Sequence, residues 1–237
     1  MPTRPDMLAA ANNAAWCAAV WRAHGLAVER QSGMLICLAE TPRFYPNAVT
    51  LDPGHDTTEQ RALLASLSRN VPFEFSVKDS FNSLALGDLG FDLLFEASWI
   101  WREPQGTREG RGSLAWHRIG ADQLANWEAA WRGRVEVPTE RTFPDRLMHD
   151  DNVRVLAGVD GRSGIVAGLI AYAAAGVVGL TNAFGPELPG PSVMAELTSD
   201  APLVGYERGG ALADSRRQGF VPVGDLAVWV KPAGAPL

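Results

Sequence analysis

The sequence predicts an α/β fold, a mixed sheet carrying helices on both faces, built as two related halves. Three observations predict it. Apolar runs of strand length alternate with stretches of helical period along the chain. In the second half, consecutive hairpin strands come first and strand-helix-strand units follow, an order that mixes antiparallel with parallel pairing. The chain also matches itself. Residues 73–101 and 202–230 each run through a short apolar segment, a loop, a helical stretch, a Gly-Phe pair and a Trp-bearing apolar run. Gly90-Phe91 and Gly219-Phe220 anchor the match at an offset of 219 − 90 = 129. Self-similarity at that spacing points to two related domains and away from a solenoid, whose periods are far shorter. The expected domains are 1–105 and 113–237, with the linker in the charged, Gly-rich stretch 102–112.

The elements follow in order. Residues 7–23 read as a helix with small and aromatic residues on more than one face, stopped at Gly25. Residues 33–38 and 47–51 read as strands. Asp56 is placed to cap a helix running to about residue 70, with Leu63, Leu64 and Leu67 as its buried stripe. Residues 73–77 form a strand, 82–89 a short helix and 91–101 a long strand. The second half opens with strand 114–119, then a helix capped by Asp122 whose Leu124, Trp127 and Trp131 recur at helical spacing before Gly133. A short helix begins at Phe143-Pro144-Asp145, with Pro in its first turn. Strands 153–159, 165–172 and 177–184, a short helix 192–198 and the repeated module complete the chain.

The apolar run 164–180 approaches the ~18 residues that mark a membrane helix. Its β-branched Ile165, Val166, Val177 and Val178, and the turn-competent 173–176, instead predict two adjacent buried strands, and no membrane association is expected. The net charge of −6 offers no footprint for nucleic acid. Cys17 and Cys37 are the only cysteines and lack metal or redox spacing, so two reduced, buried thiols and a cytoplasmic setting are expected. His149-Asp150-Asp151 are adjacent in sequence, and adjacent residues rarely converge on one ion, so no metal is expected. Glycine fingerprints for dinucleotides, P-loops and nucleophile elbows are absent. The scarcity of lysine beside arginine and the many alanines suggest a GC-rich bacterial genome.

The order of the second half, ending in strand, helix, Gly-Phe, strand, resembles the GNAT superfamily of acyl-CoA-dependent N-acetyltransferases. Its most specific stretch is Leu203-Val204-Gly205-Tyr206-Glu207 followed by Gln218-Gly219-Phe220-Val221-Pro222-Val223-Gly224. The likeness covers 114–230 well and 47–101 more loosely, which implies a tandem GNAT-like arrangement. It implies that acetyl-CoA enters between strand 177–184 and strand 202–207, with Asn182, Ala183 and Phe184 along the thioester. The acceptor would be a small-molecule amine. Two features depart from the family pattern. Its phosphate loop, Gln/Arg-x-x-Gly-x-Gly/Ala, is replaced by 182–191, where Pro186, Pro189 and Pro191 remove N–H donors. Where many members carry a Tyr four residues before the Gly of Gly-Phe, to protonate the departing thiolate, this chain has Ser215 and, in the first half, Leu86.

Individual residues keep two readings each. Glu207 is a base for the amine or a solvated carboxylate paired with Arg208. Tyr206 lines the acceptor pocket or is a core aromatic with its hydroxyl at the edge. Asn182, late in an apolar strand, steadies a sheet bulge that receives a thioester or bonds to neighbouring backbone. Arg43-Phe44-Tyr45-Pro46-Asn47 meets a ligand or packs as a loop under the sheet. The functional expectation is transfer of an acetyl group from acetyl-CoA to an amine; the alternative is a non-catalytic protein of the same fold that binds a small molecule or a partner protein.

Overall fold

The computed structural model describes residues 4–69, 71–104, 113–161, 164–198 and 201–234. It forms two compact units, one of Met1–Ile100 with Tyr206–Leu237, the other of Trp101–Gly205. This division differs from the expected 1–105 and 113–237. The self-match aligns 202–230 with 73–101 as equivalents, but in the fold the two stretches are also partners. Residues 227–231 pair antiparallel with Phe75–Asp79, from Ala227 opposite Asp79 to Lys231 opposite Phe75. An internal repeat reveals likeness and is silent about pairing. Most of the expected linker, 105–112, lies outside the described residues.

In the first unit, α1 (Pro5–Ala23) is followed by β1 (Glu29–Gln31), β2 (Met34–Ile36), β3 (Ala48–Thr50), α2 (Thr57–Leu67), β4 (Phe75–Asp79) and β5 (Asp92–Arg102), whose last two residues pass into the second unit. After the excursion through the second unit, α5 (Gly209–Arg217) and β11 (Val221–Lys231) return. The strand order here is β1-β2-β3-β4-β11-β5. β3 runs parallel to β4, while β1–β2, β2–β3 and β4–β11 are antiparallel. α2 starts where expected, with Asp56 Oδ1 accepting from the Thr58 N–H at 2.8 Å. Alternation along β4 divides the covering helices. Phe75 and Val77 pack with Leu64 of α2, Met34, Ile36, Leu86 and Phe91. Lys78, of opposite parity, meets Asn13 of α1.

The second unit contains β6 (Ala115–Arg118), α3 (Ala121–Trp131), β7 (Val153–Asp160), β8 (Gly164–Ala174), β9 (Val177–Phe184), α4 (Pro191–Thr198) and the start of β10 (Leu203–Glu207), which crosses into the first unit at Tyr206. The order is β10-β9-β8-β7-β6, with β9–β10 parallel and the rest antiparallel. The apolar run 164–180 is the β8–β9 hairpin. Ala175 and Gly176 both have positive φ, 55° and 76°, as a two-residue turn matching strand twist requires. Asp122 is not the cap of α3. Gly120 holds that position without a side-chain bond, and Asp122 lies inside the first turn. The loop after α3 is held by Glu128, fully buried, which accepts from Arg132 Nη2, Arg141 Nε and the Thr142 N–H, all at 2.7 Å. Trp127 anchors the core, donating to the Leu156 carbonyl at 2.8 Å and meeting Phe143 and Phe184 edge-on.

No helix among the described residues is long and apolar enough to cross a membrane. None of their His, Cys, Asp and Glu side chains form a group of three or more that could hold a metal ion.

Candidate functional site

In the second unit, the sequence feature that stands out is a polar residue near the end of an apolar strand. The β8–β9 ladder runs regularly from Ala174–Val177 to Ile170–Thr181, then resumes at Gly168–Phe184. Leu169 therefore stands opposite two residues, Asn182 and Ala183, and β9 carries a β-bulge there. Asn182 adopts φ 53°, the left-handed region that Asn tolerates better than other side-chain-bearing residues. The Thr181 hydroxyl donates to Asn182 Oδ1 at 2.9 Å. Ala183 is exposed. The Phe184 ring instead turns into the unit, its centroid 5.3 Å from that of Trp127. Gly168 makes room for it, since any Cβ there would lie 2.5 Å from Phe184 Cε1. Gly185, at φ 97°, lets the chain leave the bulge close against β8, where a Cβ would lie 2.5 Å from Ala167 Cα.

The parallel ladder between β9 and β10 consists of Leu203–Val178 and Val204–Gly179, and β9 continues from Leu180 to Phe184 past its last rung. Beyond Gly185 comes the segment in which the resemblance puts the diphosphate of acetyl-CoA. Here Glu187 dominates. Its carboxylate accepts from the Leu114 N–H at 2.9 Å and from Ser113 N and Oγ at 3.2 Å. These bonds hold it below the usual carboxylate range, the N–H groups of Leu114 and Ser113 contributing most. Pro186, Pro189 and Pro191 offer no N–H. The loop does not present the donor-rich surface that a diphosphate needs.

The other candidate residues belong to the first unit. Tyr206 and Glu207 are neighbours on β10 and so project to opposite faces of the strand. The half-buried Tyr206 meets the edge of Trp99 with centroids 5.7 Å apart, and the Lys78 ammonium lies 4.4 Å from its ring centre. Glu207 is half-buried too. Burial alone pushes its carboxyl above the ordinary glutamate range, and no hydrogen-bond or ion-pair partner for it exists among the described residues. The expected partner Arg208 stacks instead over Phe95, 4.6 Å from the ring centre. Ser215 is buried in α5, and its carbonyl accepts the Phe220 N–H at 3.1 Å, so this residue helps close the Gly-Phe corner.

The structure thus places Asn182, Ala183 and Phe184 on one bulged strand end of the second unit, and Tyr206, Glu207 and Ser215 in the first. Sequence reasoning missed Lys78. The available signal was a lysine directly after the expected strand 73–77 in a chain with only two lysines. It also missed Gly168 and Gly185, whose role shows only once their cross-strand neighbours are known.

No protein-family model and no curated protein matches the chain. Solved structures do. A GCN5-related N-acetyltransferase from Kribbella flavida aligns at TM-score 0.60 and 14% identity over 93% of this chain and 96% of its own. One from Sphaerobacter thermophilus aligns at TM-score 0.54 and 12% identity over 99% and 95%. A conserved protein of unknown function from Staphylococcus epidermidis aligns at TM-score 0.60 and 11% identity over 86% and 93%. The alignments to the two named acetyltransferases show the fold: the chain has the fold of the GCN5-related N-acetyltransferases.

Proposed function

We propose that this protein is an acyl-CoA-dependent N-acetyltransferase acting on a small-molecule amine in the cytoplasm. The observation that carries the reading is the bulge at Asn182 and Ala183, beyond the last rung to β10. An extra residue takes the backbone of 182–183 out of register with β8 at the strand end where the resemblance puts the thioester. Acetyl-CoA, when bound, supplies the activated acyl group. The Asn182–Ala183 backbone orients it, and Phe184, locked by Trp127 and Gly168, keeps the bulge in place. The amine nitrogen must shed a proton as it bonds to the acyl carbon and the carbon–sulfur bond breaks. Glu207 is assigned to take that proton, directly or through water, because it is a carboxylate with no partner among the described residues and burial raises its basicity. The departing thiolate takes its proton from water, since the hydroxyl of Ser215 is a poor acid.

A second reading has its own support: a non-catalytic protein that keeps the fold and binds a small molecule. Pro186, Pro189, Pro191 and the anionic Glu187 favour it, because they weaken a diphosphate site. One assay separates the two. Protein, acetyl-CoA and a panel of amines are mixed and free thiol is followed. The enzyme reading expects thiol release that falls at least about 100-fold in Glu207→Gln, the usual scale for losing a general base. Thiol release at the uncatalysed rate with every amine, together with no calorimetric signal from acetyl-CoA at millimolar concentration, sinks it.

A further inference from the structure

The second unit gathers a set of hydrogen-bond donors around the Glu187 carboxylate, and one of them goes unused. The Leu114 N–H reaches Oε1 at 2.9 Å, whereas the N–H and the hydroxyl of Ser113 share Oε2, both at 3.2 Å. The unused donor is the indole N–H of Trp116. It helps to hold Glu187 in its ionised form, yet its nitrogen is buried and makes no hydrogen bond among the described residues. Packing puts Trp116 in the same place. The ring edge beside that nitrogen lies against Gly158 of β7, where a Cβ would stand 3.0 Å from Trp116 Cε2 and Cζ2 and 3.1 Å from Ala167 Cβ. Gly185, two residues before Glu187, is pressed against the same Ala167 of β8. The start of β6 and the loop leaving β9 therefore meet over β7 and β8.

A buried N–H is ordinarily paired, and one left over calls for an explanation. Successive backbone N–H groups make a concave site for anions, and here an anion is already seated in one. A carboxylate accepts in one plane through two oxygens. A phosphate group presents three terminal oxygens in a pyramid and can meet donors that converge from a strand, its approach and an indole. Ser113 is exposed, so the site opens to solvent. We propose that Ser113, Leu114 and Trp116 form a binding site for a phosphate group, free or carried by a nucleotide, and that Glu187 is an intramolecular plug which such a ligand displaces. The donors belong to β6 and the residues before it, not to the loop in which the resemblance puts the diphosphate; only the plug lies in that loop. Displacing Glu187 unties 186–190 from β6, so phosphate binding is coupled to the position of the loop. The site stands whether or not the protein transfers acetyl groups.

The test is calorimetric titration with inorganic phosphate, acetyl-CoA and acetate of the wild type, of Glu187→Gln, and of Glu187→Gln combined with Trp116→Phe. Glu187→Ala and Ser113→Ala serve as second variants should either substitution prevent folding. The wild type is expected to bind phosphate weakly, because its own carboxylate competes. Removing the plug should tighten phosphate by about tenfold or more, the scale of one charge-assisted hydrogen bond, and acetate by less. Adding Trp116→Phe should then lose about fivefold of the phosphate affinity. A gain for acetyl-CoA as well identifies a phosphate carried by a nucleotide; a gain for inorganic phosphate alone identifies the free ion. Phosphate affinity equal with and without Glu187, acetate gaining as much as phosphate, or phosphate binding unchanged by Trp116→Phe each overturns the proposal. The two readings fail separately. Phosphate binding that responds to Glu187 and Trp116 without thiol release from acetyl-CoA leaves this site standing and removes the acyltransferase. Thiol release by a protein whose phosphate affinity ignores Glu187 does the reverse.

Discussion

The module spanning β4 to β5 and the module spanning β10 to β11 share one corner and differ in what leads to it. In the first, the Phe91 N–H bonds to the Leu86 carbonyl at 3.3 Å and the Gly90 N–H to Gly87 at 3.1 Å. In the second, the Phe220 N–H bonds to Ser215 at 3.1 Å and the Gly219 N–H to Arg216 at 3.0 Å. All four pairs keep the 129-residue offset, since 215 − 86 = 129 and 216 − 87 = 129. Gly90 and Gly219 take φ 79° and 85°, and each Phe is 3% exposed. Between strand and corner the modules part. The second winds α5 from Gly209 to Arg217, whereas the first has only a single 3-10 turn at Gly87–Leu89. Asp79 accounts for this. Fully buried at the end of β4, it accepts from the N–H groups of Leu84 at 2.6 Å and Phe81 at 3.3 Å and from the Ser83 hydroxyl. These bonds offer the backbone an alternative to helix. The equivalent position in the second module is Arg208, which cannot accept. A Gly-Phe corner is thus a local device that tolerates either approach, and one acidic side chain decides which approach forms.

That contrast can be broken in several ways. The largest effect is expected from Phe91→Ala and Phe220→Ala, each losing about 3–5 kcal/mol in urea denaturation. Similar losses support equivalent corners; a tolerated substitution at one of them separates the modules. Asp79→Ala should cost about 3 kcal/mol, because two N–H groups are left without an acceptor, while Arg208→Ala should cost about 1 kcal/mol or less. Gly90→Ala and Gly219→Ala force a Cβ into the left-handed region and should each cost about 1–2 kcal/mol. The smallest effect is expected at Glu207. Its carboxyl titrates higher in the folded chain than in the unfolded one, so the native state binds more protons across that interval and stability declines as pH rises through it. Glu207→Gln removes the decline. Its melting temperature should match wild type below about pH 4 and exceed it slightly at pH 7. A variant that is less stable at neutral pH would mean that Glu207 has a favourable partner.

Local signals carried much of the fold. Gly25 stops α1, Asp56 caps α2, and β-branching with a small-residue turn separates the β8–β9 hairpin from a membrane helix. The expected helix over 82–89 shrinks to one turn because Asp79, lying before the window, competes for its N–H groups. β1 went unforeseen because Glu29, Arg30 and Gln31 are exposed and carry no apolar alternation. The division into units was hidden because strand pairing is a property of partners, not of periodicity. At the candidate site, Asn182 was visible as a polar residue in an apolar strand. Lys78 was visible only as one of two lysines, since its setting is made by Asn13, sixty-five residues earlier, and by Tyr206.

The pairing of β11 with β4 also sets a timetable. Val228 lies opposite Lys78, and 228 − 78 = 150 residues separate them in the chain. On the ribosome, the sheet begun by the earliest strands waits with an open edge until residues 221–231 have been made, while 101–205 can assemble meanwhile. Loops closed over such distances form slowly. Any truncation before residue 221 would therefore be felt first at β4, far back along the polypeptide, as an unfinished edge inviting aggregation.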